Sequence, residues 1–179
     1  MFYVSEPCKT APQQFGSLLQ EKTYAALDHL QIPFERVDTD EAITMEDCLL
    51  INEKLKMKMV KTLFLCNRQQ TDFYLFITVG DKPFRAKDFS AALGVARASF
   101  APAEFMEAMF GTKIGAATVF SALLETTGNV QIVFDEEVLF EEWYGCSDGL
   151  TTGYMKVRTE DILHRFLPYT NHTATIIEV

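Results

Sequence analysis

The sequence lacks the features that mark several broad classes of protein. No apolar run approaches the roughly 20 residues that a membrane-spanning helix needs. The first nine residues include Glu6 and have neither the basic start nor the apolar stretch of a signal peptide. No Pro/Gly/Ser-rich linker and no internal repeat divides the chain. We therefore expect a cytoplasmic protein without a membrane partner, built as one domain.

Residues that bind metals or form disulfides are few and scattered. The three histidines are isolated, with no HxxxH or HExxH spacing, and no CxxC pair occurs. Disulfides suit small secreted domains, which this chain does not resemble in length or in its N-terminus. We therefore expect reduced, structural cysteines, no metal and no cofactor. The cysteines are Cys8, Cys48, Cys66 and Cys146.

The chain also lacks the motifs of the common catalytic and nucleotide-binding sites. It has no nucleophile elbow, Walker loop or dinucleotide fingerprint. The stretch FGTKIGAATVF (110–120) carries two glycines, but their spacing is not GxGxxG and a helix is predicted before them. Taken alone, this glycine loop indicates no particular chemistry.

What the chain has is apolar residues, enough to build a substantial core. Of its 179 residues 48% are hydrophobic, and 15 are phenylalanine. Residues 1–14 look like an irregular arm, and residues 15–179 are predicted to form one domain. Helices are predicted from about Phe15 to before Pro33, from an N-cap at Thr44 to about Leu55, after Pro102, and from an N-cap at Thr159 to a stop at Pro168. Strands are predicted at residues 34–38, 60–66, 73–79, 130–134 and 151–157.

The order of these elements favours an α+β fold. Strands and helices mix without regular βαβ alternation, which predicts a single domain with a mixed, largely antiparallel sheet flanked by helices. Both faces of strands 60–66 and 73–79 are apolar, so we expect them in the middle of the sheet. The helix after Pro102 should bury a stripe of Met and Phe side chains, namely Phe105, Met106, Met109 and Phe110.

Charge is distributed unevenly along the chain. The net charge is −9, yet the segment from Lys54 to Arg97 carries +6 and the rest carries −15. A basic middle on an acidic body can bind one end of a polyanion while the remainder repels bulk nucleic acid. The alternative is that these lysines and arginines only form a solvated face.

Lys61 interrupts the otherwise apolar strand V-K-T-L-F-L-C. Strand alternation places it on the same face as Leu63 and Leu65. One interpretation is a lysine whose stem packs on the sheet while its ammonium reaches water. The other is a partly buried ammonium directed at a phosphate or a carbonyl group.

Six stretches of the chain form a recognisable series of motifs. The strongest is VKTLFLCNRQQTDFYLF (60–76), followed by GDKPFRAKDFS (80–90) and LGVARASFA (93–101). The others are GAATVF (115–120), GYMKVRTEDIL (153–163) and RFLPY (165–169). In this order they resemble the YbaK/ProX family of aminoacyl-tRNA deacylases, nearest its free-standing prolyl-tRNA-editing branch, and the resemblance covers about residues 18–178.

The resemblance implies a trans-acting hydrolase that removes a mischarged amino acid, alanine or cysteine, from prolyl-tRNA. The family's lysine falls on Lys61, and its glycine loop falls on 115–120. The implied catalytic residues are Lys61, Gly115 and Ser147. The implied substrate-binding residues are Thr62, Phe64, Thr118, Val119 and Phe120. Contacts to tRNA are assigned to the basic segment, at Lys56, Lys58, Lys82, Arg85 and Lys87.

The chemistry implied by this resemblance needs no strong nucleophile. An aminoacyl ester is already activated, so positioning a water and stabilising the oxyanion would suffice. Backbone N–H groups near Gly115 are candidates for that stabilisation, while Lys61 would bind a phosphate or polarise the ester. The expected partner is aminoacylated tRNA, with transient contact to prolyl-tRNA synthetase.

The chain departs from the family pattern at two places. Val119 stands where the loop commonly has proline, and a glycine-rich turn, Gly145-Cys146-Ser147-Asp148-Gly149, replaces a common His-Pro. Two alternatives therefore stay open. One is a catalytically silent module that binds tRNA or synthetase, and the other is a hydrolase of a different small ester.

Overall fold

Two β-sheets and the helices packed on them form the protein, which a computed structural model describes over residues 1–113 and 115–179. Ile114, part of the predicted glycine loop, lies outside the described residues. The helices are α1 (Leu18–Leu30), α2 (Met45–Leu55), α3 (Ala86–Leu93), α4 (Ala103–Phe110), α5 (Thr159–Asp161) and α6 (Leu167–Tyr169). The strands are β1 (Glu35–Asp38), β2 (Val60–Asn67), β3 (Phe73–Val79), β4 (Ala98–Phe100), β5 (Gln131–Asp135), β6 (Trp143–Ser147), β7 (Gly153–Arg158) and β8 (Thr175–Ile177). Short 3-10 helices lie at Val119–Leu123, Glu125–Thr127 and Glu136–Phe140, and a π-helical turn at Ile162–Phe166 joins α5 to α6.

The strands divide between a three-stranded and a five-stranded sheet. The smaller sheet has the order β1-β7-β6 and is antiparallel throughout. The larger has the order β4-β2-β3-β5-β8, in which β2 is antiparallel to both of its neighbours and β5 is parallel to both of its own. The predicted α+β fold with mixed, largely antiparallel pairing is confirmed, although the strands form two sheets.

The main core lies on one face of the larger sheet. Phe64 and Ile77 contribute from β2 and β3, and Phe120 and Phe166 pack against each other with ring centroids 5.1 Å apart. A second apolar cluster covers the opposite face, where Phe89 of α3 packs on the sheet. The prediction that β2 and β3 are covered on both faces is therefore confirmed.

Helix α2 begins where its sequence predicts. The Thr44 side chain accepts a hydrogen bond from the Asp47 backbone N–H at 3.1 Å, and the Asp47 carboxylate accepts one from the Thr44 N–H at 2.9 Å. This reciprocal pair is a capping box, which satisfies two N–H groups that have no partner inside the helix. Ile51 and Leu55 then bury one face of the helix against the smaller sheet.

Strand β6 corrects the interpretation of residues 145–149 as a glycine-rich turn. Gly145, Cys146 and Ser147 pair with β7, and the turn begins only at Asp148. Glycine at this position leaves room for the Met57 side chain, which a Cβ at position 145 would displace. The close approach of another segment, not a turn, explains this glycine.

The last helical segment differs from its prediction at both ends. Thr159 is its first residue rather than its cap, and the Thr159 hydroxyl instead donates to the Glu141 carbonyl oxygen at 2.7 Å. Pro168 does not end the segment, because helix α6 continues to Tyr169. The backbone stays helical across this junction, and Pro168 follows directly on the π-helical turn.

The predicted apolar stripe of α4 faces the main core. Phe110 is buried, while Phe105, Met106 and Met109 are half-buried against the same cluster.

None of the helices in the described part of the chain is long and apolar enough to cross a membrane.

Candidate active site

A cleft of about 810 Å³ opens where the two sheets meet. The sheets are joined at this point by a parallel bridge between Met59, just before β2, and Gly145 in β6. Helix α2 forms one wall of the cleft, and the 3-10 helix Glu136–Phe140 contributes to another. The start of β2, the end of β3 and the loop before Val119–Leu123 complete its lining.

The cleft brings together four of the predicted catalytic and substrate-binding residues. Lys61 and Thr62 reach it from β2, Gly115 from the glycine loop and Ser147 from the end of β6. These residues span more than 80 positions of the chain, so only the tertiary fold collects them. The cleft thus combines an ammonium, two hydroxyl-bearing side chains and a glycine whose backbone is accessible.

The Lys61 ammonium is half-buried and held by the protein itself. It donates a hydrogen bond to the backbone carbonyl oxygen of Lys82, in the turn that follows β3. Lys61 pairs across the sheet with Thr78 and shares a face with Leu63 and Leu65, as its strand pattern predicts. The lysine is therefore a positioned charge at the edge of the cleft.

The turn that receives Lys61 is anchored by a buried carboxylate. Asp135 is fully buried and accepts hydrogen bonds from the Lys82 ammonium at 2.8 Å and from the Thr78 hydroxyl at 2.7 Å. Burial opposes ionisation, but these hydrogen bonds outweigh it and lower the pKa of Asp135. Lys82 also pairs with Glu137 at 3.2 Å, so its ammonium holds the turn against the segment that contains Asp135 and Glu137.

Ser147 ties strand β6 to the glycine loop. Its hydroxyl donates to the Ala116 carbonyl oxygen at 3.0 Å and accepts from the Gly149 N–H at 3.0 Å. In the reverse direction, the Thr118 hydroxyl donates to the Ser147 carbonyl oxygen at 2.9 Å. The Ser147 and Thr118 hydroxyls therefore join the loop to the strand end through two hydrogen bonds. In this arrangement the Ser147 proton is donated to a carbonyl oxygen.

Gly115 is exposed in the cleft and has a backbone φ of +94°. Residues other than glycine rarely adopt such a backbone angle. A Cβ built at this position would meet no atom within 4 Å in the described part of the chain. The glycine is therefore required by the backbone conformation and not by lack of space.

The other predicted substrate-binding residues lie below the cleft surface. Phe64, Thr118, Val119 and Phe120 are buried and pack in or beside the main core. Val119 is the first residue of the 3-10 helix Val119–Leu123, a position that proline also favours, so valine preserves the same helix start. Of the predicted substrate-binding side chains, Thr62 is the one that lines the cleft.

Four of the five predicted tRNA-binding residues fall into two groups, and the fifth, Lys82, pairs with Asp135 and Glu137. Lys56 and Lys58 are exposed after α2, and Lys58 lines the cleft while pairing with Glu141 at 3.3 Å. Arg85 and Lys87 are exposed at the start of α3, and Arg85 lines a separate hollow of about 190 Å³.

The cleft also contains residues that the sequence pattern does not indicate. Met45 and Leu49 of α2, together with Phe140 and Trp143, make much of its lining apolar, and Asp81, Glu137 and Glu141 add carboxylates at its rim. Helical spacing identifies the buried face of α2, but the function of its exposed face depends on elements that lie far away in sequence.

Two cysteines line the cleft, but neither is poised as a nucleophile. Burial raises the pKa of the Cys146 thiol to about 12, and burial also raises the pKa of Cys48. Because the thiolate is the reactive form, both groups are protonated near neutral pH. Neither thiol of the cleft is therefore activated for nucleophilic attack.

A buried carboxylate supports the end of β6 from behind. Asp148 accepts hydrogen bonds from the Gln20 amide at 2.9 Å and from the Tyr24 hydroxyl at 2.7 Å. Burial raises the pKa of Asp148, and these hydrogen bonds only partly offset the shift. A Cβ at Gly153 would overlap this carboxylate. Asp148 thus fixes α1 against the strand end that carries Ser147.

Comparison with known proteins assigns the chain to a family. The sequence model of the aminoacyl-tRNA editing domain matches residues 39–164. The chain belongs to this family. The predicted YbaK/ProX relationship is thereby confirmed, and the cleft described above is the candidate active site of an editing domain.

Individual relatives of this editing domain agree with the assignment. The chain is 26% identical over 120 residues to the prolyl-tRNA editing protein ProX of Acetoanaerobium sticklandii, a match that covers 67% of this chain and 73% of that protein. Its fold matches a crystal structure of a proposed trans-editing enzyme for prolyl-tRNA synthetase with a TM-score of 0.64 at 14% identity, covering 91% of this chain and 98% of that one. A scaffold protein bearing a computationally grafted epitope matches with a TM-score of 0.66 at 15% identity over the same shares of the two chains. At these identities the two structures support the fold alone.

Proposed function

We propose that this editing domain hydrolyses the ester linking a mischarged amino acid, alanine or cysteine, to prolyl-tRNA, acting in trans. The observation that carries the proposal is the Lys61 ammonium, fixed by the Lys82 carbonyl oxygen in the same cleft as the Gly115 loop. Family membership and the ProX relative support the choice of substrate class.

The proposed reaction uses water as the nucleophile. Water attacks the ester carbonyl carbon, the carbon–oxygen bond to the ribose breaks, and the ribose oxygen leaves with a proton from the attacking water. Backbone N–H groups of the loop beginning at Gly115 stabilise the developing oxyanion, a contribution worth roughly a hundred- to a thousand-fold in rate per donor. Lys61 orients the terminal nucleotide through a phosphate or polarises the ester.

The residues around this reaction act by positioning. Ser147 and Thr118 hold the loop through their hydrogen bonds to Ala116 and to the strand end, so the loop does not have to be ordered when substrate binds. Asp135 holds the turn that receives Lys61. Each of these contacts is already made in the free protein.

A second candidate function is a silent module that binds aminoacylated tRNA or prolyl-tRNA synthetase without hydrolysis. It is favoured by the Ser147 hydroxyl, whose proton is donated to the Ala116 carbonyl oxygen inside the protein. Deacylation of tRNA(Pro) charged with alanine or with cysteine separates the candidates. Hydrolysis well above the spontaneous rate supports editing, whereas tight binding of the same tRNAs without hydrolysis supports the silent module.

A further inference from the structure

Phe140 stands at the rim of the cleft with most of its ring in solvent. Its exposed fraction of 76% is higher than those of Phe15 (40%) and Phe100 (61%). Phe15 stacks on Tyr24 and Phe100 packs on Phe84, whereas Phe140 has no ring partner within residues 1–113 and 115–179. An aromatic ring left exposed at the rim of a cleft is available to stack on a ligand bound there.

The backbone under this ring is fixed by buried contacts. Phe140 ends the 3-10 helix that begins at Glu136, and the Asp135 carboxylate caps that helix by accepting from the Glu137 N–H at 3.0 Å. Val138 packs this helix into the main core, and the Glu141 carbonyl oxygen accepts a hydrogen bond from the Thr159 hydroxyl. The ring is therefore presented on a preorganised segment, which lowers the entropic cost of binding.

The other aromatic side chains of the cleft are already engaged. Lys156 lies over the Trp143 ring at 4.5 Å from the centroid, and Arg158 lies at 5.2 Å. Tyr154 is buried, and its hydroxyl donates to the Thr151 carbonyl oxygen at 3.2 Å. Among the described aromatic residues of the cleft, Phe140 is thus the one with an open face.

We propose that the Phe140 ring stacks on the adenine of the tRNA's terminal adenosine and so positions the ester at the Lys61 end of the cleft. This inference rests on the proposed function. Exposed Met45 and Leu49 extend the apolar surface, while the Lys61 ammonium supplies positive charge for a phosphate next to that base. Single-stranded nucleic acid is bound by this combination of aromatic platforms and positive charge.

The size of the cleft agrees with a nucleotide as the occupant. At about 810 Å³ it lies in the range of sites that hold whole small molecules, well above what an alanyl group alone would fill. The carboxylates nearest Phe140 are neutralised in the free protein, because Glu137 pairs with Lys82 and Glu141 pairs with Lys58. They therefore do not oppose the approach of a polyanion at full strength.

The test uses tRNA(Pro) with 2-aminopurine in place of the terminal adenine and alanine attached through an uncleavable amide. Stacking quenches 2-aminopurine fluorescence, so binding of wild-type protein should quench the probe. Phe140→Ala should abolish most of the quench and weaken binding by roughly five- to a hundred-fold. Phe140→Trp should preserve the quench, and Phe140→Leu should lose it. Phe100→Ala, which removes an exposed ring outside the cleft, is the matched control and should behave as wild type.

Three results would overturn the stacking role. The first is a quench that Phe140→Ala leaves intact, and the second is an equal effect of Phe100→Ala. The third is a quench that depends on Phe140 only when 2-aminopurine replaces the penultimate base instead of the terminal adenine. Deacylation measured in parallel separates the two proposals. If the wild type hydrolyses the ester but the quench does not depend on Phe140, only the stacking proposal fails. If the quench depends on Phe140 but the wild type does not hydrolyse the ester, only the proposed editing activity fails.

Discussion

The Lys61 ammonium donates its hydrogen bond to the backbone carbonyl oxygen of Lys82, so one lysine of the basic segment positions another. Although both carry the same charge, the contact uses the main chain of Lys82, and the Lys82 ammonium is directed at the buried Asp135 carboxylate. The lone charge in β2 is thereby prearranged at the cleft, and no carboxylate among residues 1–113 and 115–179 forms an ion pair with it.

Gly115 should tolerate asparagine better than alanine. Its φ of +94° lies in a region that asparagine enters more readily than alanine, and the space around it is open. We expect Gly115→Ala to lower deacylation at least tenfold, by moving the loop's N–H donors, with a modest change in Tm. Rates of both variants on mischarged tRNA check this. If Gly115→Asn is active, the glycine is needed only for its backbone angle. If both variants lose activity equally, the glycine is needed for contact with substrate.

Ser147→Ala should impair the loop without abolishing the chemistry. It removes the hydrogen bonds to Ala116 and Gly149 at a buried site, which should cost about 1–3 kcal/mol of unfolding free energy. We expect a lower kcat and an unchanged pH profile. Ser121→Ala is the control, because its buried hydroxyl donates to the Phe110 carbonyl oxygen away from the cleft. Trapping of an aminoacyl ester on Ser147 would show instead that this serine is the nucleophile.

Asp148 should make the protein lose stability as pH rises above the ordinary range of an aspartate pKa. Because burial raises its pKa in the folded state, the folded protein binds the proton more tightly than the unfolded chain does. Its stabilising contribution is complete below about pH 4, the ordinary range of an aspartate, and is lost as pH rises through the folded value. Urea denaturation at pH 4 to 7 should show the advantage of wild type over Asp148→Asn shrinking with rising pH. A constant difference would contradict the raised pKa.

Binding of tRNA should weaken as salt rises, with a shallow log–log slope of about two to four set by a small number of phosphate contacts. Reversing both Lys56 and Lys58 to glutamate should weaken binding and lower the slope, because these exposed residues flank the cleft. Reversing Arg85 and Lys87 tests the second group in the same assay. Unchanged affinity in both double variants would show that the basic segment is only a solvated face.

Local signals in the sequence predict much of the fold. The cap of α2 at Thr44, the apolar strands β2 and β3 and the helix start after Pro102 depend on neighbouring residues, and the structure confirms them. Strand β6 is missed because Gly145 is explained only by Met57, which approaches from another segment. Helices and strands fixed by distant contacts leave no local pattern.

The candidate site shows the same division. Lys61 is recognisable because a charge interrupts an apolar strand, but Phe64 and Phe120 match the family motif and still point into the core. Whether a side chain in a motif faces the cleft depends on how the two sheets meet. The support of Lys61 by Asp135, 74 positions further along the chain, is equally invisible to spacing.

The central claim is tested most directly by single-turnover deacylation of alanyl-tRNA(Pro), comparing wild type with Lys61→Ala. The account predicts hydrolysis by wild type and a loss of roughly a hundred-fold or more in the variant, since a positioned charge at the reacting ester is removed. The circular dichroism spectrum and Tm should stay close to wild type, and Lys54→Ala, a surface lysine paired with Glu6, should retain full activity. A folded Lys61→Ala variant that hydrolyses at the wild-type rate would contradict the account.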